Sequence, residues 1–183
     1  MEPNPTTEEP NNNTKAQDIN QPELGWWSVK SDVKLPVKVA ELRRKLYLKA
    51  KQEPKFRFYA LYDRIYRRDV LAAAWWIVLA KNKSPGIDGV TCQDIMDAPG
   101  GAAKYLDDLH ESLRTKTYRP DRVKRTYIEK PDGRKRPLGI PTMRDRIVQT
   151  AAVLVLESVF EADFLDTSYG FRPERSAHDA IKA

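Results

Sequence analysis

The residues of this sequence with the most chemistry to offer are its cations. Lys and Arg number 32 against 26 Asp and Glu, a net charge of +6 over 183 residues. They are concentrated: residues 30–70 hold thirteen basic and five acidic side chains, and residues 114–146 hold twelve and four, so each block is +8. Within RTKTYRPDRVKRTYIEKPDGRKR (114–136), Tyr118 and Tyr127 stand among ten basic residues. Lys and Arg meet phosphates and aromatic faces stack on bases, so the pattern points to a nucleic acid as polyanion partner. The same residues would also suit a solvated face, with the two tyrosines packed on a core.

Other chemistries find less support. Metal-dependent phosphoryl transfer needs at least two converging carboxylates. Asp107-Asp108 falls in a predicted helix, where neighbours diverge by about 100°, and reads as solvent-facing. Asp163 and Asp166 follow a long helix and would cap the 169–175 loop as readily as bind a cation. His110 and His178 lack the companions of a ligand set, and Cys92 reads as a small residue after a turn. There is no Walker-type loop and no Gly-x-Ser-x-Gly elbow. One Cys excludes an intrachain disulfide framework. No apolar run reaches the roughly 18 residues of a membrane span, and the N-terminus lacks a secretory pattern. A cytoplasmic protein is expected.

The elements that must position the cations follow from periodicity. Residues 1–22 carry four acids and one Lys and are rich in Pro, Asn and Thr, which predicts a disordered tail. After Pro36, Val39, Leu42 and Leu46 recur at helical spacing until Pro54. A second apolar stretch runs from Leu61 to Leu79 with a break near Arg67–Asp69, and Trp75-Trp76 reads as core. Ser84–Val90 is a Pro/Gly turn. Residues 102–116 predict an amphipathic helix with Leu106, Leu109 and Leu113 on one face. Residues 123–130 and 134–140 flank Pro131-Asp132-Gly133, a hairpin signal, with Pro137 on an edge or at a bulge. Thr142–Asp145 resembles a capping box opening a long helix through Ile147, Val148, Ala151, Val155 and Phe160, and Ser176–Asp179 is another.

Three segments then carry a resemblance. NKSPGIDGVT (82–91), TYRPDRVKRTYIEKPDGRKRPLGIPTMRDRIVQ (117–149) and FEADFLDTSYGFRPERSAHDAI (160–181) are similar, in order, to blocks of the group II intron-encoded reverse transcriptases, the maturase-type RNA-directed DNA polymerases. The resemblance covers residues 82–181 nearly continuously. It implies an α+β fold: a mostly helical basic N-terminal extension (23–81), then the fingers β-hairpin and first palm helices of a right-hand polymerase (82–183), truncated. It also implies roles. Lys130 and Arg136 match the fingers Lys and Arg that bind the incoming nucleotide's triphosphate. Ser84, Pro85, Gly86, Ile87, Asp88 and Gly89 match the loop over the template, where Gly86 and Gly89 would let backbone approach RNA closely. Arg119, Arg122, Lys124 and Arg125 would track the phosphates of template or intron RNA.

Implied partners are intron and template RNA, a DNA primer, dNTP and a separate C-terminal portion of the polymerase, with no membrane. The parent role is intron splicing and mobility. Mg²⁺ belongs to the complete parent enzyme and is not expected on this fragment, because the family's palm Asp and Tyr-x-Asp-Asp residues lie after the helix that starts at Ser176. The chain alone is therefore expected to be inactive as a polymerase. The alternative is a non-catalytic RNA-binding module, a decayed remnant of an intron-encoded protein. There are departures: Glu129 stands where the family usually has Pro, as does Ser158, and Glu174 replaces a commonly small residue. A carboxylate at Glu129 would weaken the local positive field or pair with a neighbouring Arg.

Overall fold

Pro36 opens the first helix with its extended backbone (ψ 141°), and Pro54 follows the last turn, where no helical hydrogen bond is possible for it. The computed structural model describes residues 34–81, 84–172 and 175–183. The predicted tail, residues 23–33 and the Glu174 departure lie outside the described residues. Those described form α1 (Val37–Gln52), α2 (Leu61–Ile65), α3 (Arg68–Ala80), α4 (Cys92–Asp97), α5 (Gly101–Arg114), β1 (Lys124–Glu129), β2 (Lys135–Ile140), α6 (Met143–Asp163) and α7 (Ala177–Lys182). The architecture is α+β: helices carry the core and the sheet has two antiparallel strands.

The core lies where α6 packs along α1 and α3, with α5 covering α3 and α4. Val39 and Leu42 of α1 meet Val70, Leu71, Ala74 and Ile77 of α3 and Ile147, Ala151, Leu154 and Val155 of α6. Burying such side chains contributes roughly 1.5–3 kcal/mol each, so this seam dominates stability. Buried charges cross it or flank it. Arg43 is fully buried and donates to the Leu154 carbonyl (2.8 Å) and the Glu157 carboxylate (2.8 Å). Arg172 pairs with Glu161 (2.6 Å) and also donates to the Leu165 and Ser168 carbonyls, which fastens the turn after α6.

Several expectations need correcting. Trp75 is core at 3% exposure, but Trp76 is 56% exposed, since adjacent helical residues point about 100° apart. Phe160 is likewise exposed: the buried side of α6 runs instead through Ser158, Glu161 and Ala162. α4 was not foreseen, because six residues are too few to show periodicity. Its signal is the Thr91/Asp94 capping box, in which both reciprocal bonds form. The Ser176/Asp179 box also closes both ways. Thr142 accepts from the Asp145 N–H, but the Asp145 carboxylate is used elsewhere, so that box is only half made.

The hairpin turns at Pro131–Gly133, where Gly133 takes φ +76°. Lys130 N–H donates to the Arg134 carbonyl at 2.8 Å and extends the ladder by one pair. Alternation from there makes Tyr127 and Pro137, which are register partners, a non-hydrogen-bonded pair. Pro137 thus loses no ladder bond, and its donorless nitrogen faces the open edge.

Candidate nucleic-acid interface

The first turn of α6 gathers three segments. Asp145, 2% exposed, accepts from the Tyr118 hydroxyl and from the Asp121 backbone N–H (3.1 Å), which pins residues 118–121. Arg144 stacks over the Tyr118 ring (5.1 Å to its centroid) and donates to Ser112 Oγ (3.1 Å), tying the segment to α5. Arg146 donates to the Ser84 carbonyl at 2.6 Å and holds the 84–89 loop. Burial, then the hydrogen bond to Asp145, raises the pKa of Tyr118 above the ordinary 10.0. Burial likewise pushes Tyr105 up to about 12. Both phenols are therefore neutral at physiological pH, and Tyr118 is a fixed hydrogen-bond donor.

The 84–89 loop is built for this seat. A Cβ on Gly86 would lie 2.6 Å from Thr142 Cα and 2.9 Å from the Pro141 carbonyl oxygen. The seat against the protein's own backbone is therefore one physical reason for a glycine at position 86. Gly89 differs, with φ +72° and open space around its Cβ position. Asp88 accepts from the Val90 N–H (3.3 Å) and shapes the turn, Pro85 is half-buried, and Ile87 stands 57% exposed at the tip.

Beyond Pro141 the hairpin extends with both faces in solvent, and only Ile140 is half-buried. Register places Lys124 with Ile140, Thr126 with Leu138 and Ile128 with Arg136 on one face. Lys130 shares their parity, so Lys130 and Arg136 lie on the same face. Glu129, opposite Lys135, lies on the other. Arg134 is engaged by Asp132 (2.7 and 2.9 Å). Among the described residues, Lys130, Arg136, Arg122, Lys124 and Arg125 enter no ion pair, and Glu129 pairs with no Arg. Arg119 is partly committed, donating to the Lys116 and Tyr118 carbonyls. The loop, the 117–122 segment and the hairpin base therefore converge on one helix end, with cations displayed outward from it.

The alternative chemistries are occupied otherwise. Asp107 pairs with Arg68 and Asp108 with Lys104 (2.9 Å). Asp166 pairs with Arg175, and His110 Nδ1 meets the Tyr66 carbonyl at 2.7 Å. Cys92 is buried beside Met143 Sδ, and burial raises its thiol. The described residues bring together no group of three or more His, Cys, Asp or Glu that could hold a metal ion. Among them no helix is long and apolar enough to cross a membrane. Sequence reasoning missed one feature: a groove of about 740 Å³ between α1 and residues 56–61, whose signal is the run Phe56-Arg57-Phe58-Tyr59.

Comparison with known proteins places these elements in a wider context. No family model matches the chain. Protein YkfC of Escherichia coli is 41% identical over 146 residues, covering 79% of this chain and 38% of YkfC. The group II intron-encoded protein LtrA of Lactococcus lactis is 40% identical over 128 residues, covering 68% of this chain and 20% of LtrA. Nuclear intron maturase 1, mitochondrial, of Arabidopsis thaliana is 43% identical over 42 residues, 23% of this chain and 6% of that protein. The chain spans 38% of YkfC and 20% of LtrA.

Proposed function

We propose, for a chain that belongs to the group II intron-encoded proteins, that it forms the N-terminal part of a reverse transcriptase and binds RNA and the triphosphate of an incoming nucleotide. In this reading residues 23–81 are the N-terminal extension, and residues 82–183 are the fingers and the start of the palm. The observation that carries it is the hairpin, which presents Lys130 and Arg136 on one face with no ion pair among the described residues. Arg offers a planar fork and Lys a point charge, a pair suited to gripping phosphate oxygens from two sides. Charge developing on a leaving pyrophosphate would be neutralised there.

Arg122, Lys124 and Arg125 lie toward the hairpin base and would meet the RNA backbone, with Arg119 contributing from the turn that it braces. The 84–89 loop, seated on α6, would lie over the template through Ser84, Pro85, Gly86, Ile87, Asp88 and Gly89. Gly86 serves by letting that seat form. The nucleotidyl transfer of the whole polymerase uses magnesium held by carboxylates of another portion of the enzyme, and no step passes through a metal on these residues. Intron RNA, primer and that portion are the partners of the whole.

Salt-dependent RNA binding tests this reading. The purified chain is expected to lose affinity steeply between 50 and 200 mM salt, as phosphate contacts require. Replacing Arg122, Lys124 and Arg125 together by Gln should flatten the log–log slope by about 2, at roughly 0.7 per contact. Affinity indifferent to salt and to that triple variant would overturn the proposal.

A further inference from the structure

The two strands of the hairpin pack chiefly on each other, so its aim is set where its legs leave the core. One residue holds both legs. On the incoming leg the Asp145 carboxylate accepts from the Tyr118 hydroxyl and from the Asp121 backbone N–H (3.1 Å), three residues before β1 begins. On the outgoing leg the backbone N–H of Asp145 donates to Thr142 Oγ1 at 3.2 Å, two residues after β2 ends. The 84–89 loop closes on the same spot, with Gly86 against Thr142 and the Ser84 carbonyl on Arg146.

Capping a helix does not require this arrangement. Asp94 and Asp179 stand at the same position after Thr91 and Ser176, lie exposed, and return their carboxylates to the cap backbone N–H at 2.8 Å. Asp145 is 2% exposed and commits its oxygens to residues 27 and 24 positions away. Among the described residues it enters no ion pair. Burying a carboxylate without a counter-cation is costly, and the head of a 21-residue helix offsets only part of that cost. The remainder goes into fixing one short segment, the lead-in to β1.

That segment controls a lever. Lys130 lies six residues beyond Lys124, about 20 Å at roughly 3.4 Å per residue, so tilting the ribbon by about 10° would carry it about 3.5 Å. A charge-assisted hydrogen bond made at about 2.8 Å does not survive such a shift. We infer that Asp145 is a positioning residue for nucleotide binding: it holds both legs of the hairpin and thereby sets where Lys130 and Arg136 meet the triphosphate. The inference rests on the reading of those two cations as the nucleotide clamp. Asp145 acts through Tyr118, Asp121 and Thr142. Because the 84–89 loop shares its seat, the loop over the template and the clamp keep one register.

The test uses the full chain, an azido-deoxyadenosine triphosphate as photoreactive probe, and nitroxide labels on Lys135→Cys and Gln149→Cys. Both label positions are exposed, and Lys135 lies on the hairpin face away from the clamp. Cys92 is buried, which leaves labelling to the introduced thiols. Tyr118→Phe keeps the ring for its contact with Arg144 and deletes only the hydroxyl. It should broaden the distance distribution between the labels and lower cross-linking about tenfold. Val155→Ala trims the core ten residues, or about 15 Å, further along α6 and controls for lost stability; it should change neither readout. Unchanged distances or unchanged cross-linking in Tyr118→Phe would overturn the inference, and so would an equal loss in Val155→Ala. Lys130→Gln with Arg136→Gln separates the two readings. If that pair cross-links like wild type, the clamp itself falls. If it loses cross-linking while Tyr118→Phe does not, the clamp stands and the positioning role fails.

Discussion

Arginine does opposite things at the two ends of this molecule. In the helical core Arg43 and Arg172 are buried, and each is held by a carboxylate and at least one backbone carbonyl. On the hairpin Arg125 and Arg136 lie in solvent and engage nothing among the described residues. A buried guanidinium must be fully paired, because an unpaired buried charge costs several kcal/mol. An exposed one has no such demand and stays available to a ligand. A count of basic residues is therefore not a count of binding residues, and the +6 of the sequence overstates in one region what it understates in the other.

The contrast can be broken hardest at Glu161. Glu161→Ala leaves Arg172 buried without its counter-charge and should cost about 3–5 kcal/mol in urea denaturation. A loss under 1 kcal/mol would mean the pair is no more structural than a surface bridge. Tyr118→Phe comes next. It removes a donor from buried Asp145, with an expected cost of about 1–3 kcal/mol. The pH dependence follows from the raised pKa. The folded state holds the Tyr118 proton more tightly than the unfolded chain, whose value is near 10.0. That stability is complete below pH 10 and is lost as pH climbs through the folded value. Denaturation from pH 8 to 11 should show the decline, shallower in Tyr118→Phe. The smallest stability effect belongs to the hairpin: Lys130→Gln with Arg136→Gln should shift stability by less than about 0.5 kcal/mol. It should still reduce cross-linking of a photoreactive deoxynucleoside triphosphate, and a large stability loss would erase the distinction between the regions.

What could be read in the sequence divides along the same line. The hairpin, its turn and the awkward proline were legible because two extended runs around Pro-Asp-Gly carry a local signal. The limits of α1 and the break between α2 and α3 were legible through Pro36, Pro54 and the Arg67–Asp69 interruption. What escaped depended on distant partners. Asp145 matches a capping box by spacing, yet its carboxylate answers to Tyr118 and Asp121, over twenty residues away in sequence. Gly86 sits in a turn motif and could not announce that Thr142 would press against it. Ser158 departs from the resembled pattern and is buried with no partner for its hydroxyl among the described residues, a cost visible only once α6 is packed.

Pro137 has a consequence for life at high concentration. A bare two-stranded ribbon offers two open edges, and open edges recruit strands from neighbouring molecules. The outward row of β2 comprises Lys135, Pro137 and Gly139. A visiting strand would find a charge at one end and no donor at the centre. The β2 edge can therefore stay exposed, on a ribbon built to grip a polyanion, without becoming a seed for intermolecular β-structure.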